Sequence, residues 1–141
     1  MTKGFSLIEI VIVLALFAFI ASLGTLFSTN FVSASYALSE RDLIVSLLTQ
    51  ARAKALANVH ETPHSLFINT DAYVLYEGTT YSTSNITNVI IPKISHATVG
   101  GLQTVTFAQL TADVVHEGSV TVAGDTKTYT ITINSAGRIN W

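Results

Sequence analysis

Cysteine is absent from the 141 residues, which excludes disulfide staples, thiolate nucleophiles and cysteine metal sites together. A domain outside the cytoplasm must then be held by its core alone. Proline occurs twice, at Pro63 and Pro92, so no proline kink is available to an amino-terminal helix. Charge is also scarce. Asp, Glu, Lys and Arg make up 11% of the chain, and no block of like charge is long enough for a nucleic-acid arm or a polybasic lipid site. From Glu61 onward three bases (Lys93, Lys127, Arg138) stand against six acids (Glu61, Asp71, Glu77, Asp113, Glu117, Asp125), a balance that repels phosphate. The chain has no Gly-rich phosphate cradle, no G-x-S-x-G elbow and no Asp-rich calcium loop. No enzyme constellation and no cofactor is implied.

What the chain has is apolar surface, and much of it lies at the front. Hydrophobic residues make up 49% and mean hydropathy is +0.49. No charged residue occurs between Glu9 and Glu40, a run of about 30 positions where a membrane helix needs ~20. Glu9 stands near the start of this run, after a short leader with one base, Lys3. An ionisable group in a membrane segment is costly unless paired, so by default it marks a function. Three readings are open. A secretory signal peptide would exit at Ser35-Tyr36-Ala37, but Glu9 interrupts its apolar region and the distance to the exit is too long. A plain anchor over Phe5 to Leu26 would keep Lys3 in the cytoplasm, but leaves Glu9 unexplained. Cleavage between Gly4 and Phe5 would create an α-amino group four residues from Glu9. That amine and carboxylate would pair within one helix, about one turn apart, or between staggered helices, where a buried charge sets register.

Gly4-Phe5-Ser6-Leu7-Ile8-Glu9, followed by Ile10-Val11-Ile12-Val13-Leu14, resembles the class III leader and methylation motif of type IV pilins and type II secretion pseudopilins. The resemblance implies cleavage after Gly4 by a prepilin peptidase, N-methylation of Phe5 by the same peptidase/methyltransferase, and pairing of Glu9 with a neighbouring subunit's amino terminus. Many major pilins carry a proline further along this helix. Here Leu26, Phe27 and Phe31 occupy that region.

From Gly24 to Ser39, Gly, Ser, Thr and Asn lower helix propensity, which predicts helix that bends or locally unwinds. From Ser39, a candidate cap with Asp42 three residues on, the period is clearly helical. Leu43, Ile44, Leu47, Leu48, Ala51, Ala55, Leu56 and Val59 form an apolar stripe, while Glu40, Arg41, Gln50, Arg52 and Lys54 take the other faces. Pro63 is the expected stop. A helix from Phe5 to about Asn58 would be on the order of 80 Å long.

Beyond Pro63 the period changes to two, with β-branched and aromatic residues. Strands are predicted near His64–Asn69, Ala72–Glu77, Thr87–Ile91, Thr104–Ala108, Ser119–Ala123, Lys127–Asn134 and Gly137–Trp141. Turns fall at Asn69-Thr70-Asp71, Glu77-Gly78, Gly100-Gly101, Glu117-Gly118 and Gly124-Asp125. The order from Val105-Thr106-Phe107 through the Ser119–Ala123 and Tyr129–Ile133 hairpin to Ser135–Ile139 resembles the carboxy-terminal pattern of GspH/FimT-type minor pilins. Ser82 to Val99 matches least and is where subunit-specific contacts would fall.

His60 and His64 have ligand spacing, but Pro63 prevents a continuous helix through both, so no metal site is expected. His96 and His116 fall in loops. Asn85-Ile86-Thr87 matches a glycosylation acceptor only by chance. Arg138 and Trp141 are the one candidate DNA contact, a phosphate partner and a base-stacking ring, set against a final strand with Trp141 covering the sheet. The expected protein is non-enzymatic and α+β. Its long amino-terminal α-helix, apolar in the front half and amphipathic in the back half, packs on a carboxy-terminal antiparallel sheet or small sandwich. Its parts are a leader (1–4), a transmembrane and filament-core helix (5–26), an amphipathic continuation (27–60) and an extracytoplasmic β-rich domain (61–141). The resemblance implies a bacterial inner-membrane, single-pass subunit bound for a pilus or pseudopilus, with other pilins as partners; nucleic acid is not expected among them.

Overall fold

The computed structural model describes residues 6–94, 97–125 and 127–141, with residues 23–34 described without their side chains. One helix, α1 (Leu7–Leu56), runs for 50 residues, about 75 Å at 1.5 Å per residue. It is uninterrupted through the Gly- and Ser-rich region expected to bend. Ser39 is therefore an interior residue and not a cap. The turn before it already supplies the backbone partners that a cap would replace. α1 stops before Pro63 is reached. Asn58 follows in the left-handed region (φ 54), the conformation that commonly terminates a helix and that asparagine tolerates. A single 3-10 turn, Val59–Glu61, then leads into the strands.

Eight strands follow: β1 (His64–Ile68), β2 (Ala72–Glu77), β3 (Val89–Pro92), β4 (Thr98–Gly101), β5 (Thr104–Phe107), β6 (Gly118–Ala123), β7 (Thr128–Ile133) and β8 (Ile139–Asn140). They make two four-stranded antiparallel sheets, ordered β3-β2-β1-β5 and β4-β6-β7-β8. The predicted β6–β7 hairpin pairs Ala123 with Thr128, and Gly124 N–H donates to the Lys127 carbonyl at 2.8 Å. β4 was not expected, because Gly100-Gly101 reads as a turn. Its pairing with β6 turns this glycine pair into strand. Gly101 has φ +93, and a Cβ there would come within 2.1 Å of the Ser119 carbonyl oxygen. The chain changes sheets just beyond: Leu102 N–H donates to Ser119 O in the second sheet, and Gln103 O accepts from Ile68 N–H in the first.

Both sheets and the back half of α1 share one core. Ala37, Ile44, Leu48, Ala51 and Ala55 of α1 are fully buried together with Leu66, Val105 and Phe107 of the first sheet and Val120, Val122 and Ile131 of the second. Strand alternation sends the intervening residues outward, so Thr128, Thr130 and Thr132 of β7 face solvent.

Glu40 corrects the sequence-based assignment of that residue to a solvent face. It is 0% exposed, one helical turn beyond Ala37 on the core stripe. Tyr73 of β2 donates its hydroxyl to Glu40 Oε1 at 2.5 Å, and the Ile94 N–H donates to Oε2 at 3.3 Å. Lys93 Nζ lies 5.6 Å from the centre of the Tyr73 ring. These donors offset the desolvation that burying a carboxylate entails. They also tie α1 to β2 and to the segment that leaves β3. Burial, with the Glu40 hydrogen bond and charge adding to it, pushes the Tyr73 phenol well above its ordinary value.

Candidate assembly site

The site is built on the start of α1. Ser6 stands at the amino-terminal boundary in extended conformation, with no hydrogen bond from its side chain to the helix. Its carbonyl accepts from the N–H of Glu9 at 3.0 Å and of Ile10 at 3.3 Å. Glu9 therefore lies in the first turn, where the unsatisfied N–H groups and the helix dipole favour a negative charge. Its side chain is exposed. Among the described residues Arg41 pairs with Asp42, at the far end of α1 from Glu9. Gly4 and Phe5, the expected cleavage site and the source of the partner amine, lie outside the described residues.

Around Glu9 the helix is apolar on all sides. Every side chain from Leu7 to Ser22 is exposed, including Leu7 (80%), Phe17 (66%) and Ile20 (61%). At roughly 1.5–3 kcal/mol for each large apolar side chain taken fully out of water, this surface holds on the order of 10 kcal/mol of unrealised burial. Such a surface requires an apolar medium, either lipid or the same surface on other helices. Among the described residues no helix is long and apolar enough to cross a membrane. The apolar stretch whose side chains are described, Leu7 to Ser22, is shorter than the ~20 residues a crossing takes.

The remaining candidates are spread over the domain. His60 Nδ1 pairs with Glu77 Oε1 at 2.7 Å, whereas the buried His64 ring donates from Nε2 to the Val59 carbonyl at 3.0 Å. The two rings thus serve different partners. Asn85 Oδ1 accepts from the Thr87 N–H and hydroxyl, a local turn. His96 lies outside the described residues. His116 is exposed.

Arg138 follows a turn in which Gly137 has φ +66, and its own N–H donates to Asn134 Oδ1 at 2.7 Å. The last strand is closed on the core by Ile139, which packs partly buried against it. Trp141 does not cover the sheet as expected. It lies one residue past β8 and is 64% exposed, because the chain has left the ladder before the ring could fold onto it.

Sequence reasoning missed Glu40. The only signal was its position, three residues after Ala37 and four before Ile44, which places it on the apolar stripe despite its charge.

A long helix with a bare apolar front, followed by antiparallel sheets packed on its back, defines an α+β protein of pilin-like plan. A family model described as the prokaryotic N-terminal methylation motif matches residues 1–25. No curated protein and no solved structure matches the chain. The motif supports a type IV pilin-like protein, implies processing by a prepilin peptidase and assembly with other pilins, and points to a structural role.

Proposed function

We propose that the chain is a minor pilin or pseudopilin of the GspH/FimT type, cleaved between Gly4 and Phe5 and methylated on the new amino group of Phe5. Residues 5–26 hold it as a single pass in the bacterial inner membrane, residues 27–60 carry α1 to its end at Leu56 and into the turn that follows, and residues 61–141 form the domain outside. It then assembles into a type II secretion pseudopilus or a type IV pilus. The observation that carries this reading is the position of the methylation motif, which runs directly into the exposed apolar front of α1. In the membrane that surface faces lipid, and in the filament it faces the same surface of its neighbours. Glu9 needs a cationic partner in either setting. The amine of a staggered neighbour's Phe5 supplies one and fixes the axial register, since any other stagger leaves a buried charge unpaired.

Mass spectrometry of the protein from cells with an active prepilin peptidase tests the proposal. The expected amino terminus is Phe5 carrying one additional methyl group. An intact Met1, or an unmodified terminus at any other residue, overturns it.

A further inference from the structure

The two sheets differ on their outer faces. The second presents the threonines of β7, the ordinary solvent face of an antiparallel sheet. The first carries a cross-strand row of Phe67, Val74 and Ile90, set by the pairings Phe67↔Val74 and Val74↔Ile90, in which Val74 is buried and Phe67 half-buried. Ile90 at the end of this row is 64% exposed. Tyr81, from the loop after β2, lies on this face. Its ring stacks on Phe67 with centroids 4.7 Å apart and meets Tyr76 edge-on at 5.6 Å.

Beside this aromatic cluster runs a groove of about 350 Å³, within the range of small-ligand sites. Threonines 79, 80, 104 and 106 line it together with Val115 and His116, and its lining has no Asp, Glu, Lys or Arg. The groove is held in shape from below and beside. The fully buried Ser65 hydroxyl lies 2.7 Å from the Gly78 carbonyl and 2.9 Å from Thr106 Oγ1. In the adjoining loop, Asn88 Nδ2 donates to the Ser82 carbonyl at 2.7 Å. From Gly78 to Pro92 the chain carries no charged residue and is rich in hydroxyl and amide side chains.

We propose that this groove binds a neutral saccharide, a mono- or disaccharide unit of a glycan, beside the Tyr81 ring and hydrogen-bonded to the flanking threonines. A pyranose is apolar on its ring faces and carries hydroxyls around its edge. An aromatic ring flanked by hydroxyls, each both donor and acceptor, matches both features. The absence of Lys and Arg from the lining disfavours a phosphorylated or acidic ligand, which would lose its hydration without a firm counter-charge. An added peptide strand would need a free sheet edge, and β5, the edge strand at this groove, is four residues long and is bridged to Val114 at its Phe107 end.

The test uses the full chain in lipid nanodiscs, free of glycoside detergents, and saturation-transfer NMR with maltose, cellobiose and lactose as probes. Transfer to at least one of these sugars is expected. Tyr81→Ala should weaken binding up to about tenfold and Tyr81→Phe, which keeps the ring, by less than about threefold. Thr104→Val, which keeps strand propensity and removes one hydroxyl, should also weaken it, with an unchanged circular dichroism spectrum showing that the fold survives. No transfer to any of the three sugars overturns the proposal. So does equal transfer in Tyr81→Ala, or saturation of a neutral Ser/Thr peptide in place of the sugars.

Discussion

Replacing Tyr73 by Phe removes one oxygen and leaves the ring in place, which isolates the contact between the helix and the first sheet. In the wild type that hydroxyl donates to Glu40 Oε1 at 2.5 Å, with both residues fully buried. A hydrogen bond to a charged group is worth about 1.5–3 kcal/mol, and here its loss also leaves a buried carboxylate oxygen short of a donor. With about 4–8 °C of melting temperature per kcal/mol for a domain near 100 residues, the expected loss is about 2 kcal/mol or ~10 °C. A double-mutant cycle with Glu40→Gln should show a coupling above about 0.5 kcal/mol, since the two side chains touch.

The same pair sets an alkaline limit. Burial raises the Tyr73 phenol above its ordinary value of 10.0, with Glu40 adding to the effect. The unfolded chain therefore releases this proton first as pH rises. Above pH ~10 the folded state binds more protons than the unfolded one, so stability falls with pH, while below pH ~10 this contribution is complete. Tyr73→Phe lacks the proton, and the gap between the two proteins should narrow as pH passes 10. Urea unfolding of the full chain in nanodiscs, followed by circular dichroism at pH 7, 9 and 10.5, measures both effects. A difference under about 0.5 kcal/mol at pH 7, or a gap that stays constant to pH 10.5, would refute the assignment of Tyr73 and Glu40 as the helix-to-sheet lock.

Glu9→Ala should leave membrane insertion intact and abolish recovery in sheared filaments, measured by immunoblot of membrane and filament fractions; assembly at wild-type level would show that Glu9 does not register neighbouring subunits. Gly137→Ala places a Cβ 2.0 Å from the Ala112 carbonyl at a residue with φ +66. It should cost at least 1–3 kcal/mol for the left-handed backbone alone, and an unchanged unfolding midpoint would show that the turn relaxes freely. If the chain serves in DNA uptake, the full protein should be retained on a DNA column at low ionic strength and released by salt, and Arg138→Ala with Trp141→Ala should abolish retention. The net acidity from Glu61 onward leads us to expect no retention, and salt-sensitive binding by the wild type would reverse that expectation.

Features that depend on neighbours along the chain were legible in the residues alone. The 3.6-residue stripe through Ile44, Leu48, Ala51 and Ala55 located the core face of α1. Period-two alternation located β1, β2, β5, β6 and β7 to within a residue or two, and Gly124-Asp125 located the hairpin turn. The motif from Gly4 to Glu9 was legible for the same reason: the order and spacing of its residues along the chain are themselves the signal. Other features depend on partners that are distant along the chain. β4 is a strand because β6 lies beside it, and Thr98-Val99-Gly100-Gly101 has too little side chain to declare this locally. Trp141 is exposed because the ladder ends at Asn140. Glu40 is buried because its hydrogen-bond donors come from 33 and 54 residues further along the chain. A charge reads as solvent-facing until the fold brings a phenol and a backbone N–H to meet it, since burial is decided by those distant donors and not by the helix that carries the carboxylate.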